Sequence, residues 1–512
     1  MSGVLKTIGQ IAAIALNFVP GVGTIASAAI LIGLQVGSAL LAKPPAAKGS
    51  VNTFTIGNNQ PTPYSMGESY LAGALVYDVG YGGSVSGVQN PYRFTVSVLS
   101  CAGPIQSYTG YYADFKQIAT SAGAISGYYS GFLYVDAQFG TRPESNQLTS
   151  GLPAPPDWGS AHKLSGYAAV AWSLRFDRAG KKFSSGVPQL GVVAKWVKVY
   201  DPRADSTYPG GTGSHRINDE STWQWSDNPA LHALTYAYGR YVNGKKVFGV
   251  DLGASAIYLP DFVAWANVCD TNRWTCNGTI YEPGQGVKWN NLKSICQSGA
   301  AEPVIVGGLL RIRYQAPRAT LDTITADDLA DGTPPSIQRQ RPWKERINGC
   351  TPRWRSSAHQ WTYVQGNLVQ DAAARAADGE DKIEEVQFDL VTNVGQAAQL
   401  AGYRVGDARE VPAVTLELKP RLMGYHPGEL LKIDIPTMNL SGDWLILSRT
   451  INPDRGTVVL TFQSETAAKH SWALSQTGTV PATKVIPTAQ ERDGVYGDNT
   501  NTAPSEIDGG SL

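Results

Sequence analysis

The sequence predicts an α+β chain, predominantly β, divided into several domains and led by an apolar helical amino terminus. Three observations predict it. The 512 residues exceed the ~100–200 of a typical domain severalfold. Gly (55), Tyr (24) and Trp (13) are abundant, while charged residues make up only 16%, against ~25% in ordinary soluble domains. Such a composition suits strands joined by many turns, and low charge suits broad subunit interfaces. Finally, no charged side chain occurs from Thr7 to Ala42.

That uncharged run belongs to the first expected unit, residues 1–48. Pro20, Gly21 and Gly23 divide it into two helical pieces. Gly33 and Gly37 form a GxxxG pair, which permits close helix packing. By length alone the run permits a spanning helix, which needs ~20 apolar residues. The interruption, and Lys43-Pro44-Pro45 after it, fit a secretion signal poorly. Ile11, Phe18, Ile30, Gly33, Gly37 and Leu41 are the residues expected to act here, either buried against other subunits or inserted in a membrane.

Residues 43–65 read as a polar, Pro- and Gly-rich linker into a β unit spanning 49–224. Its strands are predicted at 93–100, 131–139, 167–176 and 191–201, all β-branched or aromatic. An α/β unit at 225–340 follows. It holds a helix at 228–241 with Asn228 as N-cap and Pro229 in the first position, and further helices at 259–270 and 286–299. Residues 303–315 read as a returning strand, and 325–332 as a capped turn. A second β-rich unit is expected at 341–475, taking in some strands from 303–340. It has a helix at 393–410 and strands at 413–420, 430–436, 443–451 and 456–465. Residues 476–512 are a polar tail.

The sequence offers little chemistry. Its 42 basic and 42 acidic residues cancel, which argues against a dedicated nucleic-acid binder and leaves only transient contact with DNA. The five cysteines are sparse and contain no CxxC, so they read as buried thiols rather than a disulfide or metal framework. None of the six histidines is spaced for a local metal motif, and Walker A and GxSxG patterns are absent. The Gly-rich stretch 208–216 lacks the Lys-Ser/Thr of a phosphate loop and reads as a flexible surface loop. Asp327–Asp328 fits a helix start, and Glu384–Glu385 an exposed charged segment. No catalytic residue, cofactor site or metal site is therefore expected.

Several stretches, in order, resemble one family. Residues 61–77 (PTPYSMGESYLAGALVY) and 97–108 (SVLSCAGPIQSY) are similar to its opening turn-and-strand segments. Residues 191–203, ending in Tyr-Asp-Pro-Arg, and 225–244, with Asn-Pro-Ala, follow. Then come FVAWANVCD, RWTCNGTIYEP, the Asp-Asp-Leu turn within 307–332, KERINGCTPRW, NVGQAAQLAGYRV and HPGELLKI. Together they resemble the tip attachment protein J family of lambda-like phages over roughly residues 60–470.

The resemblance implies a central tail hub: a trimer whose chains each supply two tube-like β-barrel or sandwich domains, flanked by smaller α/β domains. It implies a virion tail-tip location after synthesis in the host cytoplasm. It also implies tube closure and opening for DNA delivery at host entry. The implied partners are a distal tail ring protein, a tape-measure protein and tail fibre or receptor-binding proteins, with DNA passing through and the amino terminus in contact with lumen or membrane. Family members continue into long fibre regions, so receptor binding here is expected to fall to another protein. The alternatives are a secreted pore-forming or adhesin-like β protein, and a tail-associated cell-wall hydrolase.

Overall fold

The computed structural model describes residues 61–482, except 86, 184–185, 243, 283–286, 333 and 339, together with residue 491. Ile11, Phe18, Ile30, Gly33, Gly37 and Leu41 lie outside the described residues.

The first β unit is a sandwich. One sheet has six strands in the order 74–81, 92–100, 168–175, 133–138, 124–125 and 120–121. The other runs 224–225, 190–199, 105–113 and 116–118, with 68–71 also paired to 190–199. Strand Ala168–Arg175 shows why its sequence lacks polar alternation. Ala168, Val170, Trp172 and Leu174 face Trp196 and Val192 of the opposite sheet. Ala169 and Ala171 face outward into a second small core, built on Leu148 with Trp158 and Leu164 packed against it. Both faces are covered, so both must be apolar.

Helices α1 (Pro229–Tyr238), α2 (Leu259–Asn272) and α3 (Val287–Ser298) surround the largest core, which includes Leu231, Phe262, Trp265 and Ile295. Asn228 starts α1 as expected. Its side-chain Oδ1 accepts from Ala230 N, and its Nδ2 donates to Asp270 of α2 at 2.7 Å. The region 303–315, read as one strand, is a hairpin: Ala301–Val306 returns as Leu309–Tyr314 around Gly307 and Gly308, both at positive φ. Residues 61–65 are not all linker. Tyr64–Met66 is a buried strand paired with Gly278–Ile280.

Strand Gly349–Ser356 then pairs in parallel with Ile383–Gln387 and antiparallel with 362–365 and 369–370. Glu384 and Glu385 therefore sit in a strand, Glu385 exposed as expected and Glu384 partly buried. After the short helix α4 (Ala372–Asp378), helix α5 (Val394–Arg409) packs on this sheet. A second six-stranded sheet runs 320–324, 430–435, 440–452, 457–464, 413–418 and 336–338 over a core of Leu416, Ile433, Trp444 and Phe462. Helix α6 (Ala467–Leu474) closes onto α5. The predominantly β, multidomain expectation holds. Among the described residues the large sheets are open, with free edges, and none closes into a barrel.

The Gly-rich stretch 208–216 is firmly held. Asp205 accepts from Thr207, Tyr200 and Arg216, and a Cβ at Gly211 would lie 2.2 Å from the Asp205 carbonyl oxygen. Sequence alone showed the turn residues but not the buried carboxylate that organises them.

Candidate functional site: interdomain joints and a basic cavity

Two joints fix how the units meet. At the first, the turn after strand Gly349–Ser356 places Gln360 and Trp361 in left-handed backbone, with φ of 59° and 54°. Trp361 N donates to Ser356 O at 2.8 Å. This projects the indole against the sandwich, where it stacks on Tyr70 and meets the edge of Tyr112 at 5.6 Å. Phe115 packs on the same Tyr70 at 5.0 Å. Among the described residues the buried Tyr70 hydroxyl has no hydrogen-bond partner, and burial pushes its pKa well above the usual phenol range.

Arg240, 2% exposed, is the second joint. Its guanidinium donates to both Glu220 oxygens at 3.1 and 3.0 Å, to Ala102 O at 2.8 Å, and to Lys198 O at 3.1 Å. It also lies over the Trp223 ring, 5.1 Å from the centroid. Arg142 donates to the same Glu220 at 3.1 Å. Burial by itself would raise the Glu220 carboxyl, but Arg240 and Arg142 reverse this and hold it below the usual carboxylate range. The node joins the sandwich and the segment that follows it (Ala102, Arg142, Lys198, Glu220) to the α/β unit (Arg240) through charge-assisted bonds around a buried guanidinium.

A cavity of about 600 Å³ opens between 341–347, 381–384 and α5. Arg341, Lys344, Arg346 and Lys382 line it, beside an Arg404–Glu384 pair at 2.7 Å. Next to it Trp343 and Ile383 are each 49% exposed. A smaller apolar niche of about 290 Å³ lies between α2, α5 and residues 315–317.

The two joints hold and orient the units, and neither they nor the cavity residues set a nucleophile against a base. All five cysteines are free and buried, and burial raises the thiol pKa of each. Among the described residues no group of three His, Cys, Asp or Glu is placed to hold a metal ion. No described helix is long and apolar enough to cross a membrane. Sequence reasoning missed Trp361, Arg240 and the cavity, whose partners lie far apart along the chain. The only local sign was the uncommon density of Arg and Lys at 339–346.

A family model described as "Putative phage tail protein" matches residues 289–448. No curated protein matches the chain. Among solved structures, a chain in the virion of a native gene transfer agent particle shares the fold. Its TM-score is 0.52 at 14% identity, covering 91% of this chain and 99% of that one. The tail protein from Neisseria meningitidis MC58 aligns with TM-score 0.30 at 13% identity, over 74% of this chain and 99% of that one. The 43 kDa tail protein of prophage MuSo2 from Shewanella oneidensis gives 0.28 at 9%, over 79% and 97%. Residues 289–448 therefore resemble a phage tail protein, and the chain shares the fold of a protein in a gene transfer agent virion.

Proposed function

We propose that the chain is the central hub of the tail: three copies close the tube at its tip and open for DNA delivery. The observation that carries this reading is the pair of large β systems on one chain, residues 68–225 and 320–464, with the helical unit between them. Three such chains supply six β units, which adapts a threefold tip to a sixfold tube. Their free sheet edges are what ring closure would cover. The hub would meet a distal tail ring protein, a tape-measure protein and separate fibre proteins, and would touch DNA only in passage. Residues 7–42, uncharged, would be covered in the lumen before infection and contact the target membrane afterwards. The hub acts without catalysis.

Native mass spectrometry of the full chain should give a trimer, and imaging of labelled particles should place it at the tail tip. A stable monomer at micromolar concentration, or a label elsewhere on the particle, overturns the reading. Deleting residues 7–42 should yield particles that leak, or that adsorb without delivering DNA.

A further inference from the structure

The basic cavity has unanswered charge. Arg404 is held by Glu384, Lys382 pairs with Glu380 at 2.9 Å, and Asp381 is taken by Arg375. Lys344 makes no ion pair among the described residues. Arg341 donates one Nη2 bond to Asp407 O, while its buried Nε has no acceptor among the described residues. Glu345 is the lining carboxylate left to oppose them. Alongside, Ile383 and Leu368, 49% and 42% exposed, meet across Gly349, while the Trp343 ring carries the Lys382 ammonium 4.2 Å from its centroid. The complementary ligand carries carboxylates flanking an apolar side chain.

The chain contains that pattern. Residues 491–512 hold Glu491, Asp493, Asp498, Glu506 and Asp508 against Arg492, and Glu506-Ile507-Asp508 sets two carboxylates around an isoleucine. The segment is also tethered close by. Thr479 donates to Asn367 through its backbone N at 3.0 Å, and Glu491 pairs with Lys116 at 2.6 Å. Lys116 follows Phe115, which packs on Tyr70, which stacks on Trp361, just past the Ser356 end of strand Gly349–Ser356. The cavity lies at the opposite, Gly349 end, where Ile383 pairs. From 349 to 356 the strand rises roughly 23 Å at ~3.3 Å per residue. From 491 to 506 an extended chain reaches up to roughly 50 Å. The tether spans the gap and holds the segment at an effective concentration near ~1 mM.

We propose that residues 505–512 dock in the cavity of their own chain, with Glu506 and Asp508 meeting Lys344 and Arg341, and Ile507 lying on Ile383 and Leu368. This is independent of the hub reading. Zero-length carbodiimide coupling on the full chain, mixed from isotopically light and heavy protein, tests it. The expected result is Lys344 coupled to Glu506 or Asp508 within one chain, with Lys116–Glu491 coupling as internal control. The coupling should fall at least tenfold in a Glu506→Gln, Asp508→Asn variant while the control persists. If the control forms and Lys344 couples to neither carboxylate, the proposal fails. If the coupling joins only light to heavy chains, the occupant is a second copy and the same-chain assignment is wrong.

Discussion

Trp361 lies nearly flat on Tyr70, ring centroids 5.1 Å apart and planes 25° from parallel, although the two side chains belong to different β units. The stack couples the sandwich to the sheet behind it. Trp361→Ala removes it and should cost about 2–3 kcal/mol, below the ~3–5 kcal/mol of a fully buried Trp→Ala change because this ring is only half-buried. Calorimetry should show the melting endotherm broaden or split as the two units uncouple. A single, unshifted transition contradicts the assignment.

Gly67 and Gly83 offer a matched comparison. Their φ angles are 59° and 58°, so alanine pays a similar backbone cost at each, about 1–2 kcal/mol. A Cβ at Gly83 meets nothing within 4 Å, whereas one at Gly67 falls 2.1 Å from Asn277 Oδ1 and 2.2 Å from the Cys276 carbonyl oxygen. Gly67→Ala should therefore destabilise by at least about 2 kcal/mol more than Gly83→Ala in urea unfolding.

His232 is wholly buried, and burial holds its pKa to about 4. Its folded value is below the unfolded ~6.5, so the unfolded chain takes up the proton first. Stability from this group is complete above about pH 6.5 and is lost as pH falls toward 4, by about 3 kcal/mol in all. Nε2 bonds the Ser226 carbonyl at 2.9 Å, and His232→Gln retains a donor there without the titration. Urea midpoints at pH 7 and pH 4.5 should lie closer together in the variant than in the parent.

The five thiols should be inert in the native protein. Burial pushes Cys101, Cys276 and Cys350 up to about 12, and Cys269 and Cys296 well above the usual thiol range. Only the thiolate reacts. Mass spectrometry after iodoacetamide at pH 8 should find the native chain unlabelled and the urea-unfolded chain labelled at every cysteine.

What the sequence made legible was local. Asn228-Pro229 and Asn393 mark helix starts because a capping side chain bonds N–H groups two or three residues on. Strand Leu190–Val199 is plain from its β-branched run. What was not legible depends on distant partners. Tyr64–Met66 is too short to show a period, and only Gly278–Ile280 makes it a strand. Trp361 sits in a turn whose aromatic receptor lies in another unit, and Arg240 has its acceptors at 102, 198 and 220. No window of neighbouring residues contains that information. The cavity draws its cations from 341 to 404, so it emerges only when α5 packs on its sheet.

The pairing of Tyr64–Met66 with Gly278–Ile280 also sets a schedule for biogenesis. Ser65 and Thr279 share a hydrogen bond across a separation of 214 residues. At the ~5–20 residues per second of translation, roughly 10–40 s pass between the emergence of one strand and that of its partner. Throughout that interval Tyr64 and Met66, destined for complete burial, wait on the nascent chain. Chaperone occupancy on stalled ribosomes should drop once residue 280 clears the exit tunnel, making this short strand a timer for when the leading segment leaves the folding machinery.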